Sequence, residues 1–241
     1  FEAVQTNIMG PQNIVNAIQE LDLPIETVVG ISTDKACKPV NVMGMTKALQ
    51  ERVFLQANMK CQSTRFICVR YGNVLASRGS VIPLFHEQIL NGGPVTITTP
   101  DMTRFLLSLN QAVDTIFSAI KFANRGETYI PIVPSAKMTD IAKVLIGNRN
   151  IKTVITGIRP GEKIHEILIS EEEAPRAIKR GGYYVILPLL PELRKIQIKE
   201  EFLDREYSSA DNLMNLDEVS RILSYYDLLI DKKNESEELI R

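Results

Sequence analysis

The sequence has 241 residues, 44% of them hydrophobic and 24% charged, with a formal net charge of −1 at pH 7. That balance argues against a disordered chain and, with no basic excess, against a nucleic-acid partner held by charge. The length allows one large core, or one core with a smaller satellite lobe.

Three cysteines (Cys37, Cys61, Cys68) lack metal-ligand spacing, and the two histidines, His86 and His165, lie far apart. No metal site is therefore expected, and a reducing, cytoplasmic compartment fits best. No stretch is long and apolar enough to cross a membrane. The opening Phe1-Glu2-Ala3-Val4 carries no initiator methionine or signal-peptide pattern. It reads as a cut, with an upstream membrane segment not excluded.

Val4, Ile8, Ile14, Val15 and Ile18 recur mostly three or four apart, which predicts an amphipathic helix ending near Leu21, ahead of Pro24. Val28 to Ser32 is a short continuous apolar run, the pattern of a strand buried on both faces. A polar loop over 33–41 leads to a helix from about Val42 to Met59, with Met45, Leu49, Val53 and Ala57 on one face. Arg65 to Arg70 is a second buried strand, in which Cys68 reads as a small core hydrophobe. Strand, helix and strand without hairpin signals predict a parallel sheet with crossover helices.

The remainder is mixed. Helices are expected over 81–90, 110–122 and 139–146, strands over 95–98, 128–132 and 152–158, and a helix starting over 162–169. Asn215 is placed to cap a last helix carrying Val219, Ile222 and Leu223, and the charged tail from Asp231 is expected to fray. The fold class is α/β, with a parallel piece over residues 1–75 and a more irregular lobe over 76–241. A return to the first piece is expected near 100–135.

Ser32-Thr33-Asp34-Lys35 directly follows a buried strand. In an open parallel sheet that is where ligands bind, and a hydroxyl, a carboxylate and an amine placed there can move protons. A surface ion pair closing a loop is the plainer reading. Met43 and Lys47 are four apart on the following helix and share a face.

The stretch STDKACKPVNVMGMTKALQERVF is followed in order by RYGNVLASRGSVIPLF (70–85), MTRF (102–105) and GIRPGEKIHEILIS (157–170). Together these blocks resemble the UDP-N-acetylglucosamine 4,6-dehydratase branch of the extended short-chain dehydrogenases/reductases, which serves bacterial surface-polysaccharide synthesis. The later YYVILP and EYSSADN are similar too, so the resemblance covers nearly the whole chain. It implies a Rossmann-like parallel sheet, represented by its C-terminal part with the first strands missing, and a smaller mixed substrate-binding lobe. It also implies a tightly held NADP or NAD, a UDP-N-acetylhexosamine substrate and a homo-oligomer.

In the implied reaction, hydride leaves carbon 4 of the sugar and the resulting ketone acidifies the carbon-5 proton. Water is eliminated across carbons 5 and 6, and the hydride returns to carbon 6, with inversion at carbon 5 suggested by the GIRPGEKIHE block. Lys35 resembles the base at carbon 5, Asp34 the acid that protonates the departing hydroxyl, and Thr33 the hydroxyl bonded to the carbon-4 oxygen. Lys47 resembles the lysine on the nicotinamide ribose, joined in the cofactor set by Asn7 and Tyr71. Asn73, Ser80, Arg104, Arg159 and Glu162 resemble the substrate-binding set, in which guanidinium forks suit a diphosphate. For Lys35 to act as a base near neutral pH, burial or the charge of Lys47 must favour its neutral form, and an ionised Asp34 opposes that.

Met43 stands where most of the wider family has a proton-accepting tyrosine. Methionine cannot titrate, so that role is vacant or passes to another group such as Asp34 or a water on Lys47; a methionine here is familiar in the dehydratase branch that the chain resembles, which favours that branch over a 4-epimerase. Plainer readings stand beside these: a turn at Asn73, a helix cap at Ser77-Arg78-Gly79-Ser80, exposed charges at the two arginines, a first-turn residue at Glu162. His165 reads as structural. The sequence has no glycine-rich loop after a first strand, so these 241 residues alone are expected to hold the cofactor poorly. A non-catalytic chain binding UDP through Arg104 and Arg159 is the third reading.

Overall fold

The computed structural model describes residues 1–77, 79–194 and 200–230. The chain divides into two units, unit 1 made of Phe1–Gly72, Leu107–Val133 and Ile167–Ser208, and unit 2 of the segments between and after them. Unit 1 opens with a helical turn (Glu2–Val4), a π-helical turn (Gln5–Met9) and helix α1 (Gly10–Glu20). It continues through β1 (Thr27–Thr33), a 3₁₀ turn (Asp34–Ala36), α2 (Val42–Lys60) and β2 (Arg65–Tyr71). Unit 2 then takes α3 (Val81–Leu90), β3 (Val95–Ile97) and β4 (Thr103–Phe105). Unit 1 resumes with α4 (Leu109–Phe122) and β5 (Thr128–Pro131), and unit 2 with β6 (Ser135–Lys137), α5 (Met138–Ile146) and β7 (Thr153–Ile155). Four strands of unit 1 follow, β8 (Ile167–Ile169), β9 (Ala177–Arg180), β10 (Tyr183–Ile186) and β11 (Tyr207–Ser208), before α6 (Leu216–Tyr225) closes unit 2.

The main sheet of unit 1 runs β1-β2-β5-β10-β9. β1, β2 and β5 are parallel, whereas β10 pairs antiparallel with both β5 and β9. The fold is thus α/β and Rossmann-like, with two antiparallel strands completing one side. Successive side chains on a strand point to opposite faces. Val28, Phe66 and Cys68 pack with Val15, Ile18, Phe54 and Ala57 from α1 and α2. Val29, Ile67 and Val69 pack with Ile116, Ala119 and Ala123 at α4. The steps from β1 to β2 and from β2 to β5 go the same way across the sheet while their helices lie on opposite faces. The second crossover therefore has the reverse hand of the first, against the general rule.

Tyr207 locks one return of the chain into unit 1. Its buried hydroxyl accepts from the Val133 N–H and donates to the Val133 carbonyl, both at 3.1 Å. Tyr207→Phe removes a donor and an acceptor and leaves a buried N–H unpaired. A loss of roughly 1–3 kcal/mol is expected in urea unfolding.

Unit 2 is built around Ile82, Phe85, Ile97, Met102, Ile141 and Leu145, against which Val219 and Leu223 of α6 pack. Asn215 caps α6 and Glu218 reciprocates, completing a capping box.

Three expectations are corrected. Residues 162–169 form no helix; Ile167–Ile169 is a strand because it pairs with Tyr207–Ser208. Ile167–Ser208 belongs with unit 1, although the second lobe was expected to hold it. On α2, Met45 and Leu49 are each half-exposed, while the buried face carries Thr46, Gln50, Glu51 and Asn58 beside Phe54 and Ala57. That face is partly polar because its polar groups find partners, Asn58 with the Phe66 backbone and Glu51 with Arg70. The tail from Asp231 lies outside the described residues. No described helix is long and apolar enough to cross a membrane.

Candidate active site

The turn after β1 gathers the reactive groups of unit 1. Thr33 ends the strand in extended conformation and caps the 3₁₀ turn Asp34–Ala36. Its hydroxyl donates to Asp34 Oδ1 at 2.7 Å, and Lys35 Nζ reaches the same oxygen at 3.0 Å. Asp34 is fully buried, whereas the Lys35 side chain keeps 28% of its exposure. Asp34 Oδ2 is also buried and has no hydrogen-bond partner among the described residues. A buried carboxyl oxygen left unpaired is costly, so this atom is placed to meet a ligand.

Helix α2 presses against this turn. Asn41 caps it by accepting from the Gly44 N–H at 2.9 Å. A Cβ added to Gly44 would stand 2.1 Å from the Lys35 carbonyl oxygen, so only glycine permits this approach. One turn on, Lys47 Nζ donates to the Ile31 carbonyl and to Gln50 Oε1, both at 2.9 Å. Burial pushes its ammonium below the usual lysine range, with Glu51 among the opposing influences. Asn7, in the π-helical turn, donates to Thr46 of α2 at 3.0 Å. Tyr71 ends β2, and burial raises its phenol. Met43 is 43% exposed on the first turn of α2.

Beneath the turn lies an ion network that reading the sequence did not anticipate. Arg70, 2% exposed, holds Glu51 and Glu173. Burial alone would raise the Glu173 carboxyl, but the charge of Arg70, hydrogen bonds from it and the Ser170 N–H together bring it down to about 2. Unfolded, a glutamate titrates near 4.5, so the folded state binds fewer protons across this window. The contribution of Glu173 is complete above about pH 4.5 and is lost as pH falls toward 2, on the order of 3 kcal/mol. Glu173→Gln should flatten the acid limb of stability between those values, as followed by circular dichroism.

Unit 2 contains a cavity of about 220 Å³. Asn73, Ser80, Arg104, Arg159 and Glu162, scattered over ninety residues of sequence, all line it. The Ser80 hydroxyl is buried there without a hydrogen-bond partner among the described residues. Arg104 is already engaged: Nη1 donates to the Thr103 and Ile164 carbonyls at 2.7 and 3.0 Å, Nη2 to the Lys163 carbonyl at 3.1 Å, and Nε lies 3.7 Å from Glu166. The Arg159 guanidinium makes no hydrogen bond or ion pair among the described residues, while its backbone N–H donates to Glu162. His165 accepts or donates at Nδ1 with the Thr103 hydroxyl, 2.8 Å away, in a buried cluster with Ser209. Arg78 lies outside the described residues. No group of three or more potential metal ligands occurs among those described.

Residues 1–188 match the family described as "Polysaccharide biosynthesis protein". A "UDP-glucose 4-epimerase" of Rickettsia akari is 38% identical over 243 residues, covering 95% of this chain and 70% of that protein. A "UDP-N-acetylglucosamine 4,6-dehydratase (inverting)" of Campylobacter jejuni is 42% identical over 191 residues, 78% of this chain and 56% of that one. The X-ray structure of Pen from Bacillus thuringiensis superposes with a TM-score of 0.84 at 36% identity, covering 95% of this chain and 71% of that one. Another relative, 45% identical, is spanned over 59% of its length.

Proposed function

Since the chain belongs to the family of polysaccharide biosynthesis proteins, we propose that it acts as a nucleotide-sugar 4,6-dehydratase on UDP-N-acetylglucosamine. The observation that carries this reading is the Asp34–Lys35 pair at the carboxyl end of β1, with Asp34 Oδ2 buried and unpaired among the described residues. Elimination of water from a 4-keto sugar needs a base at carbon 5 and an acid at the carbon-6 hydroxyl. Lys35 Nζ takes the carbon-5 proton, and the electron pair of that bond becomes the carbon 5–carbon 6 double bond. Asp34 gives its proton from Oδ2, because Oδ1 already accepts from Thr33 and Lys35. The carbon 6–oxygen bond breaks and water leaves. The Thr33 hydroxyl turns from Asp34 to the carbon-4 oxygen.

A nicotinamide cofactor, NADP or NAD, supplies the oxidation at carbon 4 and the later reduction at carbon 6 when bound. Lys47, Asn7 and Tyr71 would hold it. Lys47 fits, since an ammonium has three N–H donors and two are engaged on Ile31 and Gln50, leaving one for a ribose hydroxyl. Asn73, Ser80, Arg159 and Glu162 hold the UDP moiety in the unit 2 cavity, and Arg104 shapes its wall. Arg159→Ala should weaken UDP binding roughly ten- to a hundredfold by calorimetry without lowering the melting temperature. Arg104→Ala should lower the melting temperature as well.

The deciding experiment incubates the full-length protein with UDP-N-acetylglucosamine in heavy water. A product lighter by one water, with deuterium at carbon 5, supports the proposal, and its carbon-5 coupling reports inversion. Unchanged mass with a new carbon-4 configuration means an epimerase, the activity in the Rickettsia relative's name, and sinks it. Bound UDP with an unchanged sugar leaves the non-catalytic reading.

A further inference from the structure

Arg70 and its two carboxylates take no part in the reaction just described, yet they bracket the turn that does. Arg70 gives Nε and Nη2 to Glu51 at 3.0 and 2.7 Å, and Nη1 and Nη2 to Glu173 at 2.8 and 3.0 Å. Each carboxylate then reaches one flank of the reactive turn. Glu51 Oε1 accepts the Ser32 hydroxyl at 2.6 Å, one residue before Thr33. Glu173 Oε2 accepts the Cys37 thiol at 3.7 Å, one residue after Ala36. Lys38, next along, extends the same hold to Glu171 at 2.7 Å and Glu206 at 2.9 Å.

A buried ion group is weak evidence for stability, because well-packed apolar side chains of equal volume often serve as well or better. What apolar replacements could not do is grip two flanks of one turn by directed hydrogen bonds from a single rigid fork. We infer that Arg70, acting through Glu51 and Glu173, is a positioning residue that fixes where Asp34 and Lys35 stand for the elimination step. Its chemical consequence rests on the dehydratase reading; its structural consequence does not. Glu51 also places its charge near Lys47, on the preceding turn of α2, so the network touches both halves of the unit 1 site.

The test uses the full-length protein carrying Glu173→Gln, which keeps the shape and removes the charge; Glu51→Gln, cutting the other flank, serves if the first does not fold. Two readouts are needed. The first is alkylation of Cys37 by iodoacetamide, followed by mass spectrometry, because this thiol is 3% exposed while the turn is held. Glu173→Gln is expected to lower the melting temperature and, well below that lowered value where the fold is intact, to speed alkylation at least tenfold. Unchanged protection overturns the inference whatever the enzyme does. The second is a single turnover with UDP-N-acetylglucosamine, watched at 340 nm. The variant should accumulate reduced nicotinamide, since oxidation proceeds while elimination slows about tenfold. Equal slowing of both steps would mark a merely structural role and overturn the inference. If the unsubstituted protein gives neither reduced cofactor nor product while Cys37 opens in the variant, the dehydratase reading falls and the positioning role stands.

Discussion

Lys35→Met in the full-length protein is expected to lower turnover of UDP-N-acetylglucosamine by about a thousandfold, within the range for loss of a positioned proton acceptor. Methionine keeps the length and flexibility of the side chain but carries no atom that can hold a proton. The change also takes one partner from Asp34, whose side chain is 1% exposed, so a loss of roughly 1–3 kcal/mol is expected in the urea midpoint, too little to unfold the protein. UDP affinity should hold, because Lys35 is not among the residues lining the unit 2 cavity. Steady-state kcat and deuterium exchange at carbon 5 should fall together. Turnover within threefold of the unsubstituted protein would remove Lys35 from the mechanism.

Gly44→Ala is expected to go against the ordinary sign. Alanine inside a helix usually stabilises relative to glycine by up to about 1 kcal/mol. Here the added Cβ would lie 2.1 Å from the Lys35 carbonyl oxygen, 2.9 Å from its carbon and 3.2 Å from Pro39 Cβ. A backbone carbonyl and a proline ring do not swing aside as a flexible side chain would. Either α2 backs away from the turn or the turn is displaced with Lys35 on it. A loss of about 2–3 kcal/mol is expected in the urea midpoint, in the range for overpacked sites. Turnover should fall in parallel as Lys35 leaves its place. A raised midpoint would show that the close approach is not there.

The alternation of apolar runs and one long helical stretch made β1, α2 and β2 legible, and with them the position of Thr33, Asp34 and Lys35 at a strand end. The motif blocks picked out Asn73, Ser80, Arg104, Arg159 and Glu162, which the fold gathers on one cavity. Other features had no local signal. The strands Thr103–Phe105 and Ser135–Lys137 are three residues long and exist by pairing with each other. The inner face of α2 escaped a hydrophobic template because half of it is polar and satisfied by groups elsewhere in the chain. Arg70 meets Glu173 across 103 positions. Its one hint was a charge directly following the apolar run Phe66 to Val69, since an arginine placed in a buried strand must find acids. The engagement of Arg104 with carbonyls of residues 163 and 164 depends on which backbone lies opposite, which no spacing encodes.

The five passages of the chain between its units, at 72/73, 106/107, 133/134, 166/167 and 208/209, bear on how such a protein can be taken apart. A protease nicking any one junction releases no free domain, because each unit is still sewn to the other elsewhere. A truncation after residue 166, which looks harmless to the early strands, would strip β9 and β10 from the sheet and Glu173 from beneath the reactive turn. Dissecting this protein therefore calls for point substitutions or circular permutation, and the failure of a shortened clone to fold would say nothing about either half.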